Sequence, residues 1–152
     1  MAHVDVRVET VIHRSRSEVA TYAANPDNAT AWYVNIKGVQ WKTPRPLALG
    51  SQFEFTAAFL GRRLTYTYEV VELVPGQRFV MRTAEGPFPM ETTYEWFDVT
   101  PDSTRMKLRN RGDPFGFSAI AAPVMARAMK RANTKDLKRL KAILESPRSP
   151  QT

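Results

Sequence analysis

A chain of 152 residues with 43% hydrophobic and 24% charged side chains has the length and composition of one globular domain with its own core. It has no cysteine, which excludes a disulfide framework and thiolate or cysteine-metal chemistry, and no apolar run reaches the roughly 18–20 residues of a membrane span or opens the chain as a secretory leader, so a cytoplasmic protein is expected. The formal charge of +7 invites an anionic partner, but seven Lys/Arg against two acids fall between Arg127 and Glu145, and the rest is close to balance.

Residues 3–12 alternate apolar and polar, the period of a half-buried strand. The pattern stops at His13-Arg14, and Ser15-Arg-Ser-Glu18 then reads as a capping box, each side chain taking one orphan helix amide. Val19, Tyr22 and Ala23 stripe that helix; Asn25-Pro26 caps and opens a second, which ends at Ala31-Trp32-Tyr33. From there to Arg111 the chain reads as strands. The first spans Val34–Lys42, and the next puts Phe53, Phe55, Ala57 and Phe59 on one face before a turn at Gly61-Arg62. Leu64, Tyr66, Tyr68 and Val70 alternate up to Pro75-Gly76, followed by Phe79, Met81 and Thr83. Met90, Thr92, Tyr94 and Trp96 face one way on the next strand, and Met106, Leu108 and Asn110 on the last. After Gly112-Asp113-Pro114 one long helix is predicted from Phe115 to Glu145. Residues 147–152 read as a disordered tail behind a domain of residues 1–146.

The fold class is α+β, in the order β-α-α-β6-α. Short Gly/Pro turns make the strands an antiparallel meander of about seven, and the long C-terminal helix is the large element available to cover its apolar face. The sheet is expected to curve around that helix.

Particular residues resemble a known family. They are Trp32 after the second helix, Gly50-Ser-Gln-Phe53 opening a strand, Val70-Val-Glu-Leu-Val-Pro75-Gly76 ending another, and Ser103-Thr104 at the last hairpin. With the closing helix Asn133-Thr-Lys-Asp136-Leu137-Lys-Arg-Leu140-Lys141-Ala-Ile-Leu144-Glu145, they resemble the START-like helix-grip superfamily (SRPBCC), in particular its polyketide cyclase/dehydrase-like, lipid-transport group. The resemblance spans about residues 3–146 and rests on motifs of fold rather than chemistry. It implies an internal cavity for lipids, sterols, polyketides or hormones, and in some members cyclisation or dehydration of the bound compound.

The residues are compatible with such a cavity. A helical stripe of Ala121, Ala122, Met125, Met129, Ala132, Leu140 and Ile143 is small or adaptable where Leu or Phe would fill a core. The expected ligand contacts are Phe53, Phe55, Tyr66, Tyr68, Phe79, Met81, Met90, Tyr94, Trp96 and Asn110 from the strands, with Ala121, Met125 and Met129 from the helix. Tyr66, Tyr68, Tyr94 and Asn110 would supply the polar contacts. Pro123 suggests a bend, and with it a hinged lid over residues 115–124.

Signals for catalysis are sparse. His3 and His13 bracket the first strand, too far apart for a metal pair; Glu54, Glu69, Glu91, Glu95, Arg82 and Arg109 fall on the outward phase; no acid is placed inward. Tyr94 is the one candidate catalytic group. No phosphate-binding or dinucleotide motif is present, and no cofactor or metal is expected. The leading expectation is a carrier or sensor of a small hydrophobic ligand, and the alternative is a cyclase/dehydratase acting on a polyketide-like substrate. A third reading gives Lys130, Arg131, Lys135, Lys138 and Lys141, with Arg62-Arg63, an anionic partner. The lack of any aromatic between Lys130 and Lys141 favours an anionic membrane over nucleic acid.

Overall fold

The computed structural model describes residues 4–59, 61–86, 89–113 and 122–146. Alternation produces seven strands: β1 (Val4–Ile12), β2 (Ile36–Trp41), β3 (Gln52–Phe59), β4 (Arg62–Val74), β5 (Arg78–Glu85), β6 (Met90–Thr100) and β7 (Ser103–Gly112). They form one antiparallel sheet in the order β1-β7-β6-β5-β4-β3-β2. The last six strands are the expected meander, and β1 returns to pair with β7, Val4 opposite Gly112 and Ile12 opposite Thr104. Gly61 and Gly76, both at φ +75°, sit where the chain turns between β3 and β4 and between β4 and β5. Register shifts along β4, at Thr67/Tyr68 and at Val70/Glu72, add the twist that curves the sheet.

The capping box forms as the sequence predicts. At the start of α1 (Arg16–Ala24), Ser15 Oγ accepts the Glu18 N–H at 3.2 Å and Glu18 Oε1 accepts the Ser15 N–H at 3.3 Å. The second helix is divided into a 3-10 turn, Pro26–Asn28, capped by Asn25, and one helical turn, α2 (Ala29–Trp32). β2 starts later than its alternation suggests because the Val34 N–H is taken by the Asp136 carboxylate at 2.8 Å. At the far end of β1, the His13 N–H donates to Glu145 Oε2 at 2.8 Å, and its ring lies 3.1 Å from Ser103 Oγ.

The long helix is described as α3 (Ala122–Leu144); residues 115–121, and with them Ala121 and most of the suggested lid, lie outside the described residues, as do His3 and residues 147–152. Pro123 is exposed within α3. The buried stripe differs from the expected one. It runs through Met125, Met129, Asn133, Asp136, Leu137, Leu140 and Leu144, while Ala132 and Ile143 flank it, half-buried. The helix therefore turns an acid and an amide inward, which corrects the expectation that no acid faces the interior. Its C-terminal half is tied to β1: Lys141 Nζ donates to the Val11 carbonyl at 2.6 Å and pairs with Glu145 at 2.7 Å.

Trp32, Phe53, Phe79, Met106, Leu108, Met125 and Leu140 are fully buried between sheet and helices. Burial of such side chains is worth about 1.5–3 kcal/mol each. The outer face of the sheet is laced with ion pairs, among them Arg109 with Asp5, Arg82 and Arg111 with Glu91, and Arg78 with Glu72 and Glu95. No helix among the described residues is long and apolar enough to cross a membrane.

Candidate ligand cavity under the C-terminal helix

A cavity of about 130 Å³ lies between α3 and one end of the sheet. Its apolar wall combines Phe55, Ala57 and Phe59 of β3, Leu64 of β4, Met81 of β5 and Met90 of β6 with Met129 and Ala132 of α3. Asn35, Ile36, Ala57, Phe59 and Ala132 are partly exposed and mark its mouth. Small side chains on α3 and β3 leave the space, and three methionines border it.

The opposite wall is polar and internally bonded. Asp136 Oδ1 accepts the Val34 N–H at 2.8 Å, and Oδ2 accepts from Asn133 Nδ2 at 3.3 Å. Asn133 Oδ1 accepts from Asn110 Nδ2 at 3.0 Å, and Asn110 Oδ1 accepts the Thr92 hydroxyl. Beside it, the hydroxyls of Tyr33 and Tyr94 are hydrogen-bonded to each other. Four side chains from β6, β7 and α3 thus form one continuous line from Thr92 to Asp136.

Burial sets the ionisation of this wall. It pushes the Asp136 carboxyl up to about 6, against the lowering effects of the Val34 N–H, the Asn133 amide and the Arg139 charge. It raises the Tyr68 hydroxyl to about 12, those of Tyr66 and Tyr94 further, and that of Tyr33 well above its ordinary value. At neutral pH the tyrosines are therefore neutral hydroxyls, while Asp136 is poised to gain or lose a proton.

Of the expected contacts, Phe55, Tyr66, Tyr68, Met81, Met90, Asn110 and Met129 line the cavity. Phe53, Phe79 and Met125 are buried in the core without lining it, and Tyr94 is present only through its bond to Tyr33. Trp96 lines a different groove, of about 430 Å³, between α1, Trp41, Leu47 and the Pro75-Gly76 turn. There Asp27 is already engaged by Arg45 and by the Trp41 indole, so few polar groups are left to converge on a ligand. The inner cavity is the better candidate despite its smaller volume. Sequence reasoning missed Tyr33, Asn133 and Asp136. Asp136 lies eleven residues after Met125 and four before Leu140, a helical spacing that places it on the buried stripe. Among the described residues no group of three His, Cys, Asp or Glu is placed to hold a metal.

Comparison with known proteins yields one family and many solved structures that share one fold. The model of the family described as polyketide cyclase / dehydrase and lipid transport matches residues 3–145. No curated protein sequence matches the chain. Among solved structures, a START superfamily protein from Mycobacterium smegmatis is 15% identical at a TM-score of 0.80, with 94% of this chain and 98% of that chain covered. The ZhuI aromatase/cyclase from Streptomyces sp. R1128 is 14% identical at 0.79, covering 97% of each chain. The ginseng major latex-like protein 151 is 10% identical at 0.75, covering 95% of this chain and 99% of that one. At such identities the likeness is one of fold: a curved seven-stranded sheet gripping a C-terminal helix.

Proposed function

The chain belongs to the polyketide cyclase / dehydrase and lipid transport family, and from that premise we propose that it binds a small hydrophobic or amphipathic molecule in the cavity under α3, as a carrier or sensor. The observation that carries this reading is the division of the cavity into an apolar wall and a polar wall of buried, mutually bonded side chains. Ligand pockets need apolar area for affinity and a few placed polar groups for orientation. Its size bounds the occupant: an engineered cavity of about 150 Å³ holds benzene, so about 130 Å³ accepts one ring. A longer molecule extends through the mouth or displaces Met81, Met90 and Met129, whose unbranched side chains adapt readily.

Toluene titrated calorimetrically into delipidated protein is expected to bind at a single site, and Ala132→Trp, which puts an indole into the cavity, to abolish that binding while the fold is retained. The same substitution at Met125 would not serve, although that residue is an expected contact, since Met125 is fully buried outside the lining and overpacking it would destabilise the core. Binding that survives Ala132→Trp would put the site elsewhere.

Asp136 supports a second, catalytic reading. A buried carboxyl with its pKa near the working pH suits general acid–base chemistry. It would take the proton from a carbon next to a substrate carbonyl and return it to a departing hydroxyl as water leaves. Turnover of a polyketide-like substrate should then fall about 10²–10⁴-fold in Asp136→Asn; unchanged turnover removes Asp136 from the mechanism. Tyr94 is a weaker candidate than Asp136 because its hydroxyl is engaged by Tyr33.

A further inference from the structure

The polar wall also restricts what kind of polar group a ligand can carry. We propose that the cavity selects neutral molecules whose polar end is a hydroxyl, phenolic or alcoholic, and rejects carboxylates; this rests on the cavity being the ligand site. Among the described residues lining it there is no Lys, Arg or His, and the stretch 114–121 contains none in its sequence. Two cations act on the wall from outside. Arg62, exposed at the start of β4, acts on Tyr66; Arg139, exposed on α3, acts on Asp136 while its guanidinium donates to the Ala31 carbonyl at 2.9 Å.

A ligand carboxylate in this space would be a buried charge without a counter-charge, facing a second carboxyl. One of the two would have to take up a proton. A hydroxyl meets the opposite situation. Each Asp136 oxygen accepts one N–H donor, from Val34 or from Asn133, and a carboxylate has about four acceptor sites, so capacity remains for an O–H. With Tyr94 as donor in the Tyr33–Tyr94 bond, the proton of Tyr33, which lines the cavity, is left to donate to the ligand oxygen. The wall can thus accept from a ligand hydroxyl and donate to it at the same time.

The groups facing Asp136 are Tyr33 and the Val34 N–H from the α2–β2 connection, Tyr94 of β6, and Asn133 and Arg139 of α3. The tyrosines stay neutral between pH 5 and 8, and Asp136 is the carboxyl of this set whose raised pKa falls in that interval.

The test uses three probes with one ring and different polar ends, titrated calorimetrically into the full chain: toluene, p-cresol and p-toluate. At pH 8 p-cresol should bind more tightly than toluene, and p-toluate at least about tenfold more weakly than p-cresol. At pH 5, with Asp136 protonated, the gap between p-cresol and p-toluate should narrow. Asp136→Asn should narrow it at pH 8; should that variant not fold, the comparison of the two pH values in the unmodified protein decides alone. Toluene and p-toluate binding equally at pH 8, or a gap that neither pH nor Asp136→Asn moves, would overturn the proposal and leave the cavity as the ligand site. Failure of all three probes would overturn both.

Discussion

Asp136 departs furthest from what its neighbours in sequence suggest. It sits in a helix rich in lysine and arginine, yet it is 2% exposed and holds the Val34 N–H that would otherwise extend β2. Its ionisation should be visible in stability. The folded carboxyl, at about 6, holds its proton more tightly than the ordinary Asp value of 3.8. Its contribution is therefore fully present below pH 3.8, and is lost as pH rises towards and through 6, because the unfolded chain deprotonates first. The two-unit difference corresponds to on the order of 3 kcal/mol. Asp5, held low by Arg109, and Asp27, held low by Arg45, act with the opposite sign, but they do so equally in a variant. Measured by urea unfolding, the stability of Asp136→Asn minus that of the unmodified protein should rise by about that amount between pH 4 and pH 7. A difference that stays flat with pH would mean that burial does not govern this carboxyl.

Periodicity made most of the elements legible, and its limits explain what was missed. Alternation assigns each strand residue to a face, and Phe53, Phe55, Tyr66, Tyr68, Phe79, Met81, Tyr94 and Trp96 are all buried on the face it gives them. It says nothing of position along the strand. The cavity occupies one end of the sheet, so Phe55 lines it and Phe53 does not, Met81 does and Phe79 does not, Met90 and Thr92 do and Tyr94 and Trp96 do not. The pairing of β1 with β7 was equally hidden, since about a hundred residues separate Val4 from Gly112 and no local pattern records such a contact. In α3 the error was one of helical phase. Hydrophobicity alone favoured Ala132 and Ile143, whereas Leu137, Leu140 and Leu144 rotate the helix so that Asn133 and Asp136 face inward. Those two are tolerated because each finds a partner, Asn110 for Asn133 and the Val34 amide for Asp136. A buried network that joins β6, β7 and α3 depends on tertiary contacts, and so it cannot be read from any single segment.

The charge of the molecule has a direction that bears on how an apolar ligand would arrive. On the sheet, many cations are spent on neighbours: Arg78 on Glu72 and Glu95, Arg82 and Arg111 on Glu91, Arg109 on Asp5. On α3, Lys130, Arg131, Lys135 and Lys138 are exposed and have no ion pair among the described residues, whereas Lys141 is engaged with Glu145 and the Val11 carbonyl. The same turns of helix carry Met129, Ala132 and Asn133 into the cavity wall, so the basic face and the mouth lie on one element. Basic side chains near an anionic bilayer contribute about 1 kcal/mol each and are screened within about 10 Å at 0.1 M salt. We therefore expect the protein to co-sediment with phosphatidylserine-containing vesicles at low ionic strength, and to be released as salt is raised. Binding should be absent on purely phosphatidylcholine vesicles and in the triple variant Lys130→Glu, Lys135→Glu, Lys138→Glu, which reverses three of the four charges but leaves the cavity lining intact. If the unmodified protein stays in the supernatant at low salt, the basic face is a solvated surface and delivery of a ligand does not run through an anionic membrane. If the triple variant still binds, the attraction resides on another face and the shared position of charge and mouth on α3 has no bearing on it.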